Sequence, residues 1–223
     1  MIITWYKSSE RMSWRKLKIY IVRNVLLITS FLLLCASFFF YSEAEVIRSK
    51  YDLSSAEQFA TGSVVTITGV IDGDEIGVVN ETGGKGVVRL LGVKSFLSSN
   101  RDQSLGRYGM QSYDYLKTLE GKQMRLTLNK GVTVDTKGRL LGYLDTLAPK
   151  EDESLDIGMH MISEGWSVVY VEFPAERETV YLHAQQKADE NKKGLWSNPG
   201  LANQVRGFNL LWRESRKERE QED

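Results

Sequence analysis

Cysteine is almost absent from this chain of 223 residues, and so is histidine. Cys35 is the only cysteine and lies in an apolar segment, which excludes an intrachain disulfide and a cysteine metal site. The two histidines, His160 and His183, stand alone in predicted helices, where a histidine is ordinarily a packed or solvated side chain rather than a ligand. Net charge is missing too, since 29 basic residues balance 29 acidic ones. The balance hides an asymmetry. Residues 1–24 carry six basic side chains (Lys7, Arg11, Arg15, Lys16, Lys18, Arg23) against Glu10 alone. From Glu45 onward 23 basic residues face 27 acidic ones, a net of −4. Proteins that hold nucleic acid through its phosphates carry a basic face, so this balance counts against a nucleic-acid partner.

What is present first is an uncharged run, Val25 to Tyr41, whose 17 residues reach the short limit for a spanning helix. Ile19 to Val22 lengthen it, with Arg23 snorkelling to the interface and Tyr20 and Tyr41 at the two boundaries. The expected layout is a basic flank over 1–18, a transmembrane anchor over 19–42 in contact with membrane lipid, and a polar linker over 43–61. The basic flank stays on the cytoplasmic or matrix side and the folded domain crosses. A bacterial inner membrane and a mitochondrial inner membrane are the two candidate locations, the basic, acid-poor leader fitting a mitochondrial address. A signal peptide cleaved near Ser42-Glu43-Ala44 is the competing reading, although the apolar run exceeds a typical signal core.

The remainder reads as one domain over 62–197 followed by a charged tail over 198–223, whose stretch from Trp212 to Asp223 is an exposed helix or disordered. Ser63–Val70, Glu75–Asn80, Val87–Val93, Gln123–Asn129 and Arg139–Leu144 are predicted strands, with a glycine-rich hairpin at 80–86. Tyr108–Leu119, Leu155–Glu164 (capped by Ser154) and Ala175–Lys193 are predicted helices, and Trp166–Val171 is a short strand. The pattern predicts an α+β, mainly β domain: a five-stranded Greek-key barrel with about three packed helices, preceded by one transmembrane helix.

The chemistry-bearing stretch is Val70-Ile71-Asp72-Gly73-Asp74 followed by Val88-Arg89-Leu90-Leu91-Gly92-Val93-Lys94-Ser95. Two aspartates one residue apart can aim oxygens at a single hard cation. An arginine on the next strand can hold a phosphate by paired hydrogen bonds. Lys94 brings an ammonium to the same place, which cannot ligate a cation and repels it.

These residues resemble the staphylococcal nuclease (thermonuclease) family from roughly Gly62 to Trp196. Asp72-Gly73-Asp74 is similar to the family's first motif and Arg89-Leu90-Leu91-Gly92-Val93 to the second. Asp135-Thr136-Lys137-Gly138-Arg139 is similar to the third, usually Asp-x-Tyr-Gly-Arg. Ser163-Glu164-Gly165-Trp166, Tyr170 and Lys193-Gly194-Leu195-Trp196 fit the C-terminal part. The resemblance implies an OB-type barrel with three helices and a calcium-dependent phosphodiesterase acting on DNA and RNA. It implies Asp74 as a metal ligand, Asp72 as a supporting carboxylate, and Arg89 and Arg139 as the phosphate clamp.

The departures are concentrated. The family follows its second motif with Asp-x-Pro-Glu, a metal ligand and the residue assigned to activate water. Here Lys94, Ser95 and Leu97 occupy that stretch, and Glu75 replaces the usual threonine after Asp74. Losing the base costs about 10²–10⁴ in rate, and losing the metal adds several kcal/mol to the barrier. The expectation is a degenerate site with no cofactor, in an interaction module or accessory subunit with protein partners in a membrane complex. A calcium-dependent endonuclease on the far side of the membrane is the alternative, with Glu75 or Asp102 as substitute carboxylates. Ion pairing of Arg89 and Arg139 with Asp72, Asp74 or Asp135 is the structural alternative to phosphate binding. Trp166, Tyr170 and Trp196 read as packing residues rather than base-stacking platforms.

Overall fold

A computed structural model describes residues 14–50, 57–97, 103–148 and 153–222. The chain divides into two compact units, residues 1–49 and 50–223. Helix α1, Trp14–Lys50, makes up the described part of the first. Its stretch Tyr20–Tyr41 has 22 residues and a mean hydropathy of 2.0, long and apolar enough to cross a membrane. At ~1.5 Å per residue it is about 33 Å long, matching a hydrocarbon core of about 30 Å. Leu27, Phe31, Leu34, Phe38 and Phe40 are all exposed along it. The linker expected from residue 43 begins inside this helix, which continues to Lys50. The basic residues before Trp14, and Asp102, lie outside the described residues.

The second unit is built on strands β1 (Val64–Asp72), β2 (Glu75–Asn80), β3 (Lys85–Leu90), β4 (Val93–Lys94), β5 (Gln123–Leu128), β6 (Leu140–Thr146) and β7 (Val168–Val169). Five of them close an OB-type barrel in the order β1-β2-β3-β6-β5, while β4 and β7 form a separate pair. Strand β1 serves two neighbours. Val64–Thr66 pairs with β5 and Val65–Asp72 pairs with β2, with register shifts after Ile67 and Val70 that bend the strand around the barrel. Strands β3 and β6 run parallel, Val88 opposite Leu140 and Arg89 opposite Leu141, which forces the long excursion between them. Inward positions of β5 alternate cleanly, with Met124, Leu126 and Leu128 buried against Ile67, Ile76, Val88 and Leu140.

Among the described residues four α-helices pack in this unit rather than the three expected: α2 (Gln103–Lys117), α3 (Ile157–Ser163), α4 (Glu178–Glu190) and α5 (Pro199–Glu222), with a 3-10 turn at Gly194–Ser197. Residues 199–222, read from the sequence as a charged tail, are this last helix. Its Leu201, Ala202 and Val205 are buried with Phe96, Leu105, Val168, Ala188, Leu195 and Trp196 in a second apolar cluster.

Several boundaries differ from the sequence reading: α2 begins at Gln103 rather than Tyr108, in a stretch read as a loop, β1 and β6 run two residues further, to Asp72 and Thr146, and α4 and β7 are shorter. Two further differences have local reasons. The third strand stops at Leu90 because Gly92, at φ +68°, turns the chain, and Val93–Lys94 crosses to pair with β7. Helix α3 starts at Ile157, not Leu155, and its cap is Asp156 rather than Ser154. Leu155 is tied to β6 by its N–H to Thr146 Oγ1 (2.8 Å) and by the Thr146 N–H to its carbonyl (2.9 Å). Asp156 then accepts the Met159 N–H at 3.0 Å.

Candidate functional site

The site residues come together at the β1–β2 turn. Asp72 lies opposite Glu75 in register, so Gly73 and Asp74 make the two-residue connection. Gly73 is required by crowding. A Cβ there would meet Ser95 Oγ at 2.1 Å and the Gly109 carbonyl at 3.0 Å. Gly109 is squeezed in the same way by the backbone of Phe96 and Leu97, so α2 is pressed directly onto the stretch 95–97.

Asp74 is only 2% exposed. Its Oδ2 accepts the Ser95 N–H at 2.8 Å and lies 3.1 Å from Arg89 Nη1. Burial pushes its carboxyl above the usual carboxylate range, against the pull of the Arg89 and Lys94 cations and the Ser95 hydrogen bond. Arg89 reaches this position because Glu75 and Arg89 face each other across β2 and β3. The same Nη1 donates to the carbonyls of Asp74, Leu90 and Val93 at 3.0–3.3 Å. The Arg89 side chain, 13% exposed, thus binds the turn and the start of β4 together.

Arg139 leaves a turn closed by Gly138, at φ +76°, in which Asp135 Oδ1 accepts the Lys137 and Arg139 N–H groups at 2.9 Å each. Asp135 Oδ2 takes Arg139 Nε at 2.7 Å and Nη2 at 2.5 Å. Arg139 Nη1 pairs with Glu75. Burial disfavours the Asp135 carboxylate, but the Arg139 hydrogen bonds outweigh this and hold its pKa below the ordinary value. Glu75 is therefore directed to Arg139, consistent with the two-residue strand period that carries it away from Asp74. Asp72 is half-buried, and its Oδ1 accepts the Gly73 N–H at 2.6 Å.

Lys94 is half-buried on β4, opposite Val168, close enough to act on the Asp74 charge. Ser95 is buried, and Leu97 is half-buried with its N–H toward Ser95 Oγ at 3.4 Å. Phe96, between them, anchors the stretch in the second apolar cluster. The aromatics pack as the sequence suggested. Trp166 lies against Tyr115 and His160, Trp196 is buried in the second cluster, and Tyr170 meets Trp212 edge-on at 4.9 Å. His183 is exposed on α4.

Calcium, the metal implied by the family, does not fit this donor set. It takes about six to eight oxygens. Among the described residues no three Asp, Glu, His or Cys side chains stand together as a metal cage. The best placed oxygen, Asp74 Oδ2, already receives an N–H and a guanidinium, and an ammonium stands nearby in place of a further carboxylate.

Sequence reasoning missed a second charged cluster. Arg177, just before α4, donates through Nη1 to Asp145 Oδ1 and Asp156 Oδ2 at 2.6 Å each, and through Nη2 to Asp145 Oδ2 at 2.8 Å. Its guanidinium lies over the Tyr143 ring at 4.4 Å, and Tyr181 Oη donates to Asp156. The cluster ties β6, α3 and α4 together. Asp145 and Arg177 carry no local motif, and only the Asp156-to-Met159 cap spacing was readable in advance.

Barrel order and strand pairing define an OB-type barrel, and Asp74, Arg89, Glu75 and Arg139 form a charged cluster at its β1–β2 turn. The profile described as staphylococcal nuclease homologue matches residues 87–198, from β3 through the 3-10 turn, and the chain belongs to that family. No curated protein matches the chain significantly.

Proposed function

We propose that this protein is a membrane-anchored, catalytically inactive nuclease-like domain that serves as an interaction module in a membrane protein assembly. The observation that carries the reading is the internal use of the site's charges. Asp74 is spent on Arg89 and Ser95, and Arg139 on Asp135 and Glu75. A phosphate clamp needs guanidinium edges free to meet oxygen, and a metal site needs free carboxylate oxygens. Leu97, in the position of the family's water-activating residue, offers no base. The anchor is the Tyr20–Tyr41 stretch, with the basic flank on the cytoplasmic or matrix side and the domain across the membrane.

The test is cleavage of single-stranded DNA by the full chain in detergent at millimolar calcium, with Asp74→Ala as control. No cleavage above background is expected, and Lys94→Asp with Leu97→Glu should raise activity from that floor. Wild-type cleavage that Asp74→Ala removes would overturn the proposal in favour of a calcium-dependent endonuclease. Native purification in detergent should bring down other membrane proteins. A monomer with none bound would count against the module.

A further inference from the structure

Helix α4 buries Tyr181, Gln185 and Ala188, and its two flanks beside that stripe differ in charge. One flank carries the carboxylates of Glu178 and Asp189, and α5 meets both. Arg216 reaches Glu178 at 2.8 Å and Arg206 reaches Asp189 at 2.6 Å. The other flank carries Val180, Ala184 and Lys187, at spacings of four and three, with His183 beside them. Between this flank and α3 runs a groove of about 520 Å³. Met159 from α3 and Val180 and Ala184 from α4 give it an apolar floor, and His183, Lys187 and Lys193 give it a basic rim.

The charge of the groove is one-sided. None of the residues lining it is acidic, although the chain from Glu45 onward has a net charge of −4. Glu164 is engaged by Lys193 at 2.7 Å, and Glu190, at the end of α4, accepts from Gln186 at 2.9 Å. Lys187 and His183 are exposed and have no ion pair among the described residues. Val180 is 53% exposed, an apolar side chain left in water on the first turn of α4. The opposite flank shows what completes such a surface. There a helix seats apolar side chains, Leu201 and Val205, and sends side chains of opposite charge to α4. On the groove side the complementary element is a helix with apolar residues along one stripe and carboxylates beside it.

We infer that the α3–α4 groove is a docking site for an acidic amphipathic helix of a partner protein. The helix seats its apolar stripe on Met159, Val180 and Ala184, and its carboxylates meet Lys187 and His183. The inference rests on the reading of the domain as an interaction module and names the partner's chemistry. Charge sets the selectivity, since a basic helix of the same shape places like charges together.

The probe is a fluorescent peptide of about 20 residues, with leucine along one helical stripe and glutamate on both sides of it, titrated into the full chain in detergent. It should bind, and a twin peptide with lysine for every glutamate should bind at least about 10-fold more weakly. Lys187→Glu with His183→Glu, and separately Val180→Asp, should each weaken the acidic peptide by about 10-fold or more. All three side chains are exposed, so unfolding curves should confirm that these variants keep the fold. Acetylation of Lys187, followed by mass spectrometry, should slow when the peptide is bound, and that of the exposed Lys217 on α5 should not. Failure of the acidic peptide to bind, equal binding of the two peptides, or binding that the variants leave unchanged overturns the inference. Single-stranded DNA that protects Lys187 as well as the peptide does also overturns it, because the groove is then a general polyanion site. Self-association of the full chain that the same variants abolish overturns it in favour of a second copy. The DNA-cleavage assay judges the inactive-module reading separately. A chain that cuts DNA and binds the acidic peptide loses that reading and keeps the groove, whereas one that neither cuts nor binds loses the groove alone.

Discussion

Replacing Arg177 by methionine is expected to cost about 3–5 kcal/mol of stability at neutral pH, the usual result of removing one partner from a buried charged pair. The magnitude follows from what the substitution strands. Asp145 and Asp156 keep 13% and 11% of their side-chain surface exposed, and between them they lose three guanidinium hydrogen bonds of 2.6–2.8 Å. Burial works against the charge on Arg177, but the hydrogen bonds it donates to Asp145 and Asp156 outweigh this and hold its pKa above the ordinary value. The cost should therefore come from uncompensated carboxylates rather than from lost packing, since methionine keeps an apolar stem over the Tyr143 ring. The assay is urea unfolding of the full chain in detergent, followed by tryptophan fluorescence. Arg177→Met alone should show the full loss. Arg177→Met with Asp145→Asn and Asp156→Asn should recover more than half of it, because the stranded charges are gone while an asparagine at the cap position can still accept the N–H that opens α3. A single-variant loss below about 1 kcal/mol, or a triple variant no better than the single one, would refute the reasoning.

Three other outcomes are expected. Asp74→Asn should remove one pH dependence of stability. The folded carboxyl holds its proton more tightly than an unfolded one, so its ionised form is a cost that vanishes as pH falls towards about 3.9; a variant whose unfolding curves keep the wild-type change over that range would contradict this. Glu172 is the opposite case. Burial disfavours its charge, but hydrogen bonds from Tyr170, Arg219 and Ser215 hold its pKa below the ordinary value. Its contribution is present above about pH 4.3 and lost as pH falls through the lower folded-state value, so Glu172→Gln should flatten that acid limb by up to about 1 kcal/mol; an unchanged limb would sink the idea. Gly109→Ala should destabilise by about 1–3 kcal/mol or more, since its Cβ would sit 2.1 Å from the Leu97 amide nitrogen; a melting temperature within a degree of wild type would show that the 95–97 stretch yields freely.

Much of the barrel was legible because strand patterns are local. Met124, Leu126 and Leu128 announce a strand with one buried face, and Glu75–Asn80 was bounded correctly by the turn residues on either side. Boundaries failed where a distant partner intervened. Leu155 is helix-compatible by pattern, yet β6 captures it through Thr146 and delays α3 to Ile157. Val93 continues the apolar run of β3, yet β7 draws it into a separate pair. The charged residues of α5 suggested a solvated tail, although the Leu201–Val205–Phe208–Trp212 spacing was there to be read and the buried cluster that receives it was not.

Residue type and near-neighbour spacing were enough to establish the apolar span at Tyr20–Tyr41, the family, and the chemical substitutions at Lys94 and Leu97. How the charges are spent was decided by the folded arrangement alone. Whether Arg89 and Arg139 face an incoming phosphate or their own carboxylates depends on the β2–β3 register and on the Asp135–Arg139 turn. These bring Asp74, Glu75 and Asp135 within hydrogen-bond reach from separate parts of the chain. Pairing of that kind falls off within a few ångströms, a distance that no sequence spacing specifies.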